Sequence, residues 1–545
     1  LPDDLRWEVA ERLDAAGQVL VPLDEEAVDK VASRAAAEGV ESLAIVFLFA
    51  FRNPAHERRA AERIRARWPH LVLSLSSEIL PEYREYERTA TTVVNAYVAP
   101  LVGRYLERLA GVLPERSIRV MQSNGGVTSP EQAAAQAARL VLSGPAGGVV
   151  GAFFIARESQ PDPSIAPHIL TLDMGGTSTD VALCPGTVPY TPENTVAGVP
   201  LRLPAVDVHT VGAGGGSLAW VDAAGVLHVG PQSAGGVPGP VCYGRGGRTP
   251  TVTDAHLVLG RLHPAYFLGG RGDVSLDLPA ARSALARLGQ ELGGLSAEEV
   301  ALGVIRVANA TMERALRYVS VERGYDPRRF TLLPFGGAGP LHACALAEAL
   351  GIPHILVPPH PGVLSALGLV VADAICDTSR SLLCNADAAL VSSGLLGDVV
   401  EELSEQVRAT LGAQGFHGPV LEAALDLRYR GQSYELTVPL SLPVTVGALA
   451  RGREAFHLAH GQRYGYALPA ETVELVTVRV RGIGSVSRPC LPRAPRETED
   501  ARAALLGFQA VWFSPDGPTA TSAYDRSRLR PGNRFLGPAI VFQYD

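Results

Sequence analysis

Apolar and polar positions change their period several times along this chain. Glu25–Glu38 carries apolar residues at helical spacing. Ser42–Phe51 is a near-continuous apolar run that predicts a buried strand, and His56–Trp68 returns to a helical period with arginines on its polar face. That alternation is the α/β rhythm of strands and covering helices. Residues 83–110 predict one long helix with Tyr97, Leu101, Tyr105 and Leu109 on one face. A strand at Ile118–Gln122, a turn at Gly125–Gly126 and a helix entry at Ser129-Pro130-Glu131 follow.

From 140 to 260 short apolar strands alternate with glycine turns, and a mostly helical zone covers 275–325. The strand Phe330–Pro334 then leads through another glycine turn into a helix, Leu341–Leu350. Beyond about residue 385 the glycine-rich loops fade. There the pattern predicts a helix at Gly394–Gln414, strands at Leu421–Tyr429 and Ser433–Pro439, a helix at Val446–Tyr464 and a strand at Val473–Gly482. Ser487–Thr498, rich in proline and arginine, reads as a linker, and 508–545 as a small β unit.

At 545 residues the chain is expected to hold two or three domains. Hydrophobic residues make up 47% and charged residues 19%, a globular composition. The net charge of −8, with both signs mixed along the chain, gives no footprint for nucleic acid. Leu43–Phe51 is too short to span a bilayer. The six scattered cysteines form no CxxC pair, which suggests reduced thiols and a cytoplasmic protein. Lys30 is the single lysine. Unless it takes part, a P-loop and Schiff-base chemistry are both excluded, since each needs a lysine amine.

Three glycine turns carry the candidate chemistry. In the first, Ile169 to Leu183, two β-rich runs flank Asp173-Met-Gly-Gly-Thr-Ser-Thr-Asp180. Gly175 and Gly176 let backbone N–H groups turn toward an anion, and Thr177, Ser178 and Thr179 add hydroxyl donors. Asp173 at the strand end would face a hydrated Mg²⁺ beside the phosphates. A plain tight hairpin is the simpler alternative. The second turn, Val208 to Ser217, packs four glycines into five residues, including Gly214, Gly215 and Gly216. It reads either as close approach of backbone to a ligand or as a flexible loop. The third, Phe335-Gly336-Gly337-Ala-Gly339-Pro-Leu-His342, joins a strand to a helix N-terminus that can receive a flat ring or a phosphate.

The first and third turns in this order resemble the actin-like ATPases, sugar-kinase/Hsp70-type folds that need no P-loop lysine. Longer phrases narrow the resemblance: Glu87–Tyr97, Met121–Gly126, Leu142–Gly148, Leu172–Asp180, Asp207–Ser217, Pro238–Gly247, Pro250–Asp254, Val321–Asp326 and Phe335–His342. Together they identify the chain as similar to the hydantoinase A/5-oxoprolinase family, and they run through nearly its whole length.

The resemblance implies an α/β fold: actin-like ATPase domains with mixed sheets flanked by helices, plus a C-terminal α+β region. On that analogy 1–115 is the remainder of an N-terminal hydantoinase/oxoprolinase domain, 116–385 the ATPase core, 386–486 the α+β region, and 487–545 a linker with a small β unit. It implies ATP and Mg²⁺ as cofactors, with Gly175, Gly176, Thr177 and Ser178 on the phosphates and Asp173 carrying the metal. Asp180 is either a second catalytic carboxylate or a hairpin fixture. Gly336, Gly337 and Gly339 would lie against the nucleotide, and Gly214, Gly215 and Gly216 make a further ligand contact. The expected reaction is ATP-dependent hydrolysis of a cyclic amide, 5-oxoproline or a hydantoin, with a second hydantoinase B-type subunit in a hetero-oligomer. The alternatives are the same ATP chemistry in an acetone carboxylase-type complex, or a non-catalytic assembly subunit.

Several residues have two readings. His209 and His342 are proton shuttles or metal ligands, or structural histidines bonding a loop. Asp254 reads as a helix N-cap. Asn124 and Ser143 line a cleft or shape turns, and Cys242 carries no sign of a lowered thiol pKa. Family members normally open with an earlier Asp-x-Gly-Gly-Thr-x-x-Asp hairpin, so the match begins roughly a hundred residues into such a protein. The family also runs on beyond the closing Gly537 to Asp545 phrase. The expectation is a fragment, or a product that does not turn over ATP alone.

Overall fold

The computed structural model describes residues 2–544 apart from 115, 163, 197, 265 and 268–274. It divides into two compact units, each assembled from separate stretches of chain. One comprises Leu1–Ala146, Tyr190–Val206 and Ala372–Ser487, the other Gly147–Pro189, Asp207–Val371 and Arg488–Asp545. Both are mixed α/β. Among the described residues no helix is long and apolar enough to cross a membrane.

The first unit holds a six-stranded sheet in the order Leu436–Leu440, Val420–Tyr429, Val473–Gly484, Ala374–Asn385, Val127–Thr128, Val120–Met121. The helix Leu395–Ala413 lies so close to its central strand that a Cβ on Gly482 would come within 2.1 Å of Val407 Cγ1. The helix Val446–Tyr464 ends where the sequence puts it, capped by the Thr445 side chain and by Gly465 in the left-handed region.

Two expectations for this unit are corrected. The strand predicted at Ser42–Phe51 stops at Ile45 and pairs only with Val72–Leu75. Beyond it the chain turns, with Phe49 at φ +59° and Ala50 donating to the Phe47 carbonyl, so the apolar run closes a small core rather than extending a sheet. The long helix is present as Glu85–Val112, but its apolar stripe faces out: Tyr97 is 84% exposed and Leu101 67%. The first half of its buried face is largely polar, with Ala96, Ala99 and Leu106 following. Arg88, Thr91, Thr92 and Asn95 point inward, Asn95 bonding Ser74 and the Ala135 carbonyl, Thr91 accepting from the Arg202 amide.

In the second unit a five-stranded mixed sheet runs in the order His209–Val211, Thr179–Pro185, His168–Met174, Thr331–Phe335, His354–Ile355. The first three strands are antiparallel neighbours, and the last two join His168–Met174 in parallel. Helices Val252–Val258, Leu278–Glu291, Ala297–Val319 and Gly339–Leu350 share the sheet's apolar core. The longest begins at a capping box formed by Ser296 and Glu299, and buries Val300, Val304, Ile305, Ala308, Met312 and Leu316 at helical spacing. The glycines Gly147, Gly148 and Gly151 answer to packing: a Cβ on Gly148 would sit 2.8 Å from Phe335 Cε2. A Cβ on Gly151 would sit 2.6 Å from the Leu364 carbonyl oxygen, and one on Gly368 only 1.8 Å from that of Gly147.

Candidate functional site

The hairpin of the second unit sets Asp173 directly opposite Asp180. Cross-strand partners project from the same face, so the two carboxylates sit side by side. Thr210, in register with Asp180 on the neighbouring strand, donates its hydroxyl to the Asp180 carboxylate at 2.5 Å. Among the described residues no cationic side chain offsets either acid. Burial first, then repulsion from Asp180, pushes the Asp173 carboxyl up to about 7. Burial also raises Asp180, against the opposing pull of the Thr210 hydrogen bond.

At the hairpin tip the Gly175 N–H closes the turn onto the Ser178 carbonyl at 3.1 Å, so it is spent internally rather than offered outward as the sequence suggested. The N–H groups of Gly176, Thr177 and Ser178 bond to nothing among the described residues, and Gly176 and Thr177 are exposed. The tip therefore presents three donors together with the hydroxyls of Thr177 and Ser178.

The other two glycine turns come to this tip. Gly215 and Gly216 donate to the carbonyls of Gly175 and Gly176 at 2.9 and 2.7 Å, and Gly214 donates to the Ser217 hydroxyl at 2.8 Å. A Cβ at Gly214 would lie 2.6 Å from both Gly176 C and Thr177 N. The glycine density thus serves close approach to the hairpin's own backbone, and Gly214–Gly216 brace the tip with their amides already engaged. On the other side Gly336, at φ +73°, passes so near that a Cβ would fall 2.5 Å from Asp173 Oδ1. Ala338 N–H reaches the Met174 carbonyl at 3.0 Å, and Gly339 opens its helix without a side-chain cap. Gly337 faces open space.

Sequence reasoning passed over two residues that hold this arrangement. Thr253 gives both its N–H and its hydroxyl to the Gly215 carbonyl at 2.8 Å, and Thr210 anchors Asp180. The signal for Thr253 lay in the phrase Pro250–Asp254; Thr210 left none beyond its place in a short strand. Asp254 is not the N-cap. Thr251 caps the helix, and Asp254, three residues on, completes a capping box while accepting the amides of Val241 and Cys242 at 3.1 and 2.8 Å.

The ambiguous residues fall away from the carboxylates. His209 points to the opposite face from its neighbour Thr210 and packs on Tyr318, ring centres 4.5 Å apart. His342 is wholly buried between His256 and Asn309. Asn124 belongs to the first unit, where it accepts from the Gly126 amide and donates to Asp377. Ser143 is the first residue of the helix Ser143–Glu158. The Cys242 thiol is pushed up by burial and by Asp254.

Comparison with known proteins decides the family. The hydantoinase/oxoprolinase model matches residues 88–378, its N-terminal region 1–68 and its C-terminal domain 385–544. The chain belongs to the hydantoinase/oxoprolinase family. Within it, caprolactamase subunit alpha of Pseudomonas jessenii is 35% identical over 551 residues, 99% of this chain and 78% of the relative. The crystal structure of that organism's ATP-dependent caprolactamase superposes with a TM-score of 0.88 at 34% identity, covering 100% of this chain and 79% of the other. The acetone carboxylase beta subunit of Xanthobacter autotrophicus is 32% identical over 99% of this chain and 77% of the subunit. 5-Oxoprolinase 1 of Arabidopsis thaliana is 34% identical over 96% of this chain, which spans 42% of that longer protein. This hydantoinase/oxoprolinase family member is thus similar to ATP-dependent enzymes, two of them named as subunits.

Proposed function

We propose that the three-turn cradle of the second unit binds Mg·ATP, and that the chain is the ATP-using subunit of a cyclic-amide hydrolase working with a second, hydantoinase B-type subunit. The observation that carries this is the carboxylate pair. Asp173 and Asp180 are half-buried and face each other across the hairpin, with no cationic side chain among the described residues to offset them, next to a hairpin tip with three unspent N–H groups. Such a pair suits a hydrated magnesium ion, which binds through one or two carboxylates and keeps waters. Among the described residues no group of three or more His, Cys, Asp or Glu could hold a metal, so the donor set does not suit zinc.

In this reading Gly176, Thr177 and Ser178 hold phosphate oxygens by N–H and hydroxyl, with Gly175 closing the turn behind them. Asp173 holds the magnesium, Asp180 its waters, and Gly214–Gly216 keep the tip in place. Gly336, Gly337 and Gly339 would lie against the nucleotide, with Gly337 on the open side and Gly336 and Gly339 held close to the hairpin backbone. When bound, ATP supplies a phosphoryl group that turns an amide oxygen from a poor leaving group into a good one. The residues contribute mainly position and charge neutralisation.

The caprolactamase likeness favours a lactam or related ring as substrate; the acetone carboxylase likeness supports the same ATP site serving a ketone carboxylase. Calorimetric titration of Mg·ATP into the wild type and an Asp173→Asn variant tests the nucleotide assignment. Magnesium-dependent binding that weakens about tenfold or more in the variant, roughly 1.4 kcal/mol, is expected. No binding by a folded wild type, or equal binding by both, overturns it. Lactam-stimulated ADP release with the partner subunit present, against none with acetone and bicarbonate, separates the two substrate readings.

A further inference from the structure

The second unit contains a chain of hydrogen bonds that does not touch the carboxylate pair yet ties together the two helices flanking it. His342 Nδ1 lies 2.6 Å from Asn309 Oδ1, and His342 Nε2 lies 3.0 Å from His256 Nε2. Asn309 Oδ1 can only accept, so His342 carries its proton on Nδ1 and its Nε2 is the acceptor. His256 must then donate from Nε2. One orientation is therefore fixed: His256 to His342 to Asn309, linking the helices Val252–Val258, Gly339–Leu350 and Ala297–Val319. Both histidines are essentially unexposed, and Asn309 is partly buried. Burial holds both rings neutral, with Arg261 working the same way and His342 adding to the effect on His256.

The placement of the two histidines along their helices is what gives the chain a role. Thr253, three residues before His256, makes two bonds to the Gly215 carbonyl. Gly339, three residues before His342, starts the helix whose preceding residue, Ala338, bonds the Met174 carbonyl. Each histidine thus stands about one helical turn behind a cradle contact. The hairpin backbone is gripped from one side by Gly215 and Gly216, and from the other by Gly336 and Ala338. A helix turn is a stiff lever, so fixing the helices one turn back fixes the gap between the two grips.

We propose that His256 and His342 are positioning residues: their mutual hydrogen bond sets the separation of the 212–217 and 335–339 turns on either side of the Asp173–Asp180 hairpin. The consequence for nucleotide affinity rests on the reading that this cradle binds Mg·ATP; the positioning itself does not. A neutral carboxamide can reproduce the relay, because its oxygen accepts from His256 and its NH₂ donates to Asn309. A leucine of similar bulk cannot.

Hydrogen–deuterium exchange of the unliganded chain tests the positioning directly. His342→Leu is expected to raise exchange about tenfold in both turns, 212–217 and 335–339, although residue 342 lies in neither. His342→Gln restores wild-type protection. Leu288→Ala, a core truncation on another helix of the unit, lowers the melting temperature without raising exchange in the turns. Unchanged protection at 212–217 in His342→Leu, or the same loss in Leu288→Ala, overturns the proposal. If His342→Leu does not fold, His256→Gln against His256→Leu gives the same comparison from the other side. Mg·ATP titration then adds the functional arm: weaker binding in the leucine variant with recovery in the glutamine variant. Failure of the wild type to bind Mg·ATP sinks the nucleotide reading and leaves the exchange result to decide the positioning.

Discussion

In the first unit Glu82 sits inside a cluster where each buried carboxylate meets a guanidinium. Glu82 accepts from Arg479 at 2.7 and 3.0 Å and from Arg202 at 3.1 Å, Arg479 also holds Asp426 at 2.7 Å, and Glu435 joins Arg84 and Arg202. Burial alone would raise the Glu82 pKa, but Arg479 and Arg202 outweigh it and the net shift is downward. In the second unit Asp173 and Asp180 are only half-buried, yet no guanidinium among the described residues answers the desolvation they do meet, and both are raised. The contrast separates charges that complete a fold from charges held ready for something else. A buried charge persists only when it is paired, and an unpaired one in a cleft is a candidate functional group.

The sharpest way to break that distinction is to make the first cluster resemble the second. Arg479→Met leaves Glu82 and Asp426 without their shared cation and is expected to cost about 3–5 kcal/mol in chemical denaturation. A loss below about 1 kcal/mol would mean that the cluster does not hold this unit together.

Next in size is Gly214→Ala, whose added methyl would collide with the backbone of Gly176 and Thr177. About 1–3 kcal/mol of stability should go, with loss of Mg·ATP binding by calorimetry. A variant that binds normally would show the tip tolerates displacement.

The two regions should also respond to pH with opposite sign. Asp173 is raised from 3.8 to about 7 in the folded chain, so its contribution is fully present below about pH 4 and lost as pH rises through 7. Asp173→Asn should therefore stabilise the protein at pH 8, by about 1–2 kcal/mol after allowing for partial solvent screening, and do little at pH 4. Glu82 and Asp377 are lowered against burial, the first by Arg479 and Arg202, the second by Arg481. Their stabilisation is present above their ordinary values of 4.5 and 3.8 and fades as pH falls below them. Denaturation series at pH 3, 5 and 8 read both trends. An Asp173→Asn variant no more stable than wild type at pH 8 would remove the claim that this acid is held at a cost.

The smallest effect is expected from Thr210→Val, which deletes the hydroxyl that lowers Asp180. About 1 kcal/mol or less should change in melting experiments, with a further rise of the Asp180 pKa by carboxyl NMR titration. No rise would place Thr210 outside the carboxylate pair's electrostatics.

Local features were legible without the fold. The Asp173–Asp180 hairpin is a short-range object, two β-rich runs around a glycine pair, and it forms where the pattern places it. Helix limits marked by caps, such as Val446–Tyr464, were equally readable. The reading failed where a partner is distant. The helix Glu85–Val112 hides Arg88, Thr91, Thr92 and Asn95 and exposes Tyr97 and Leu101, because Ser74, Ala135 and Arg202 satisfy its polar side. The apolar run from Ser42 leaves its strand at Ile45, and the chain then turns with Phe49 in the left-handed region. Asp254 looked like a cap from its position, yet the loop amides of Val241 and Cys242 give it a different task.

The sequence by itself determined the chemistry available to this protein: a single lysine, a glycine hairpin ending in two aspartates, and two further glycine turns with no local reason to meet. Tertiary structure alone decided that Gly215 and Gly216 bond the hairpin tip, that Gly336 passes beside Asp173, and that His256 and His342 join behind them. It also decided that Glu82 meets guanidinium groups while Asp173 and Asp180, among the described residues, meet none. The physical reason is range. Turn conformation is settled by a few adjacent dihedrals and missing side chains, whereas a pKa or a shared hydrogen bond depends on atoms that the fold brings within a few ångströms from far along the chain.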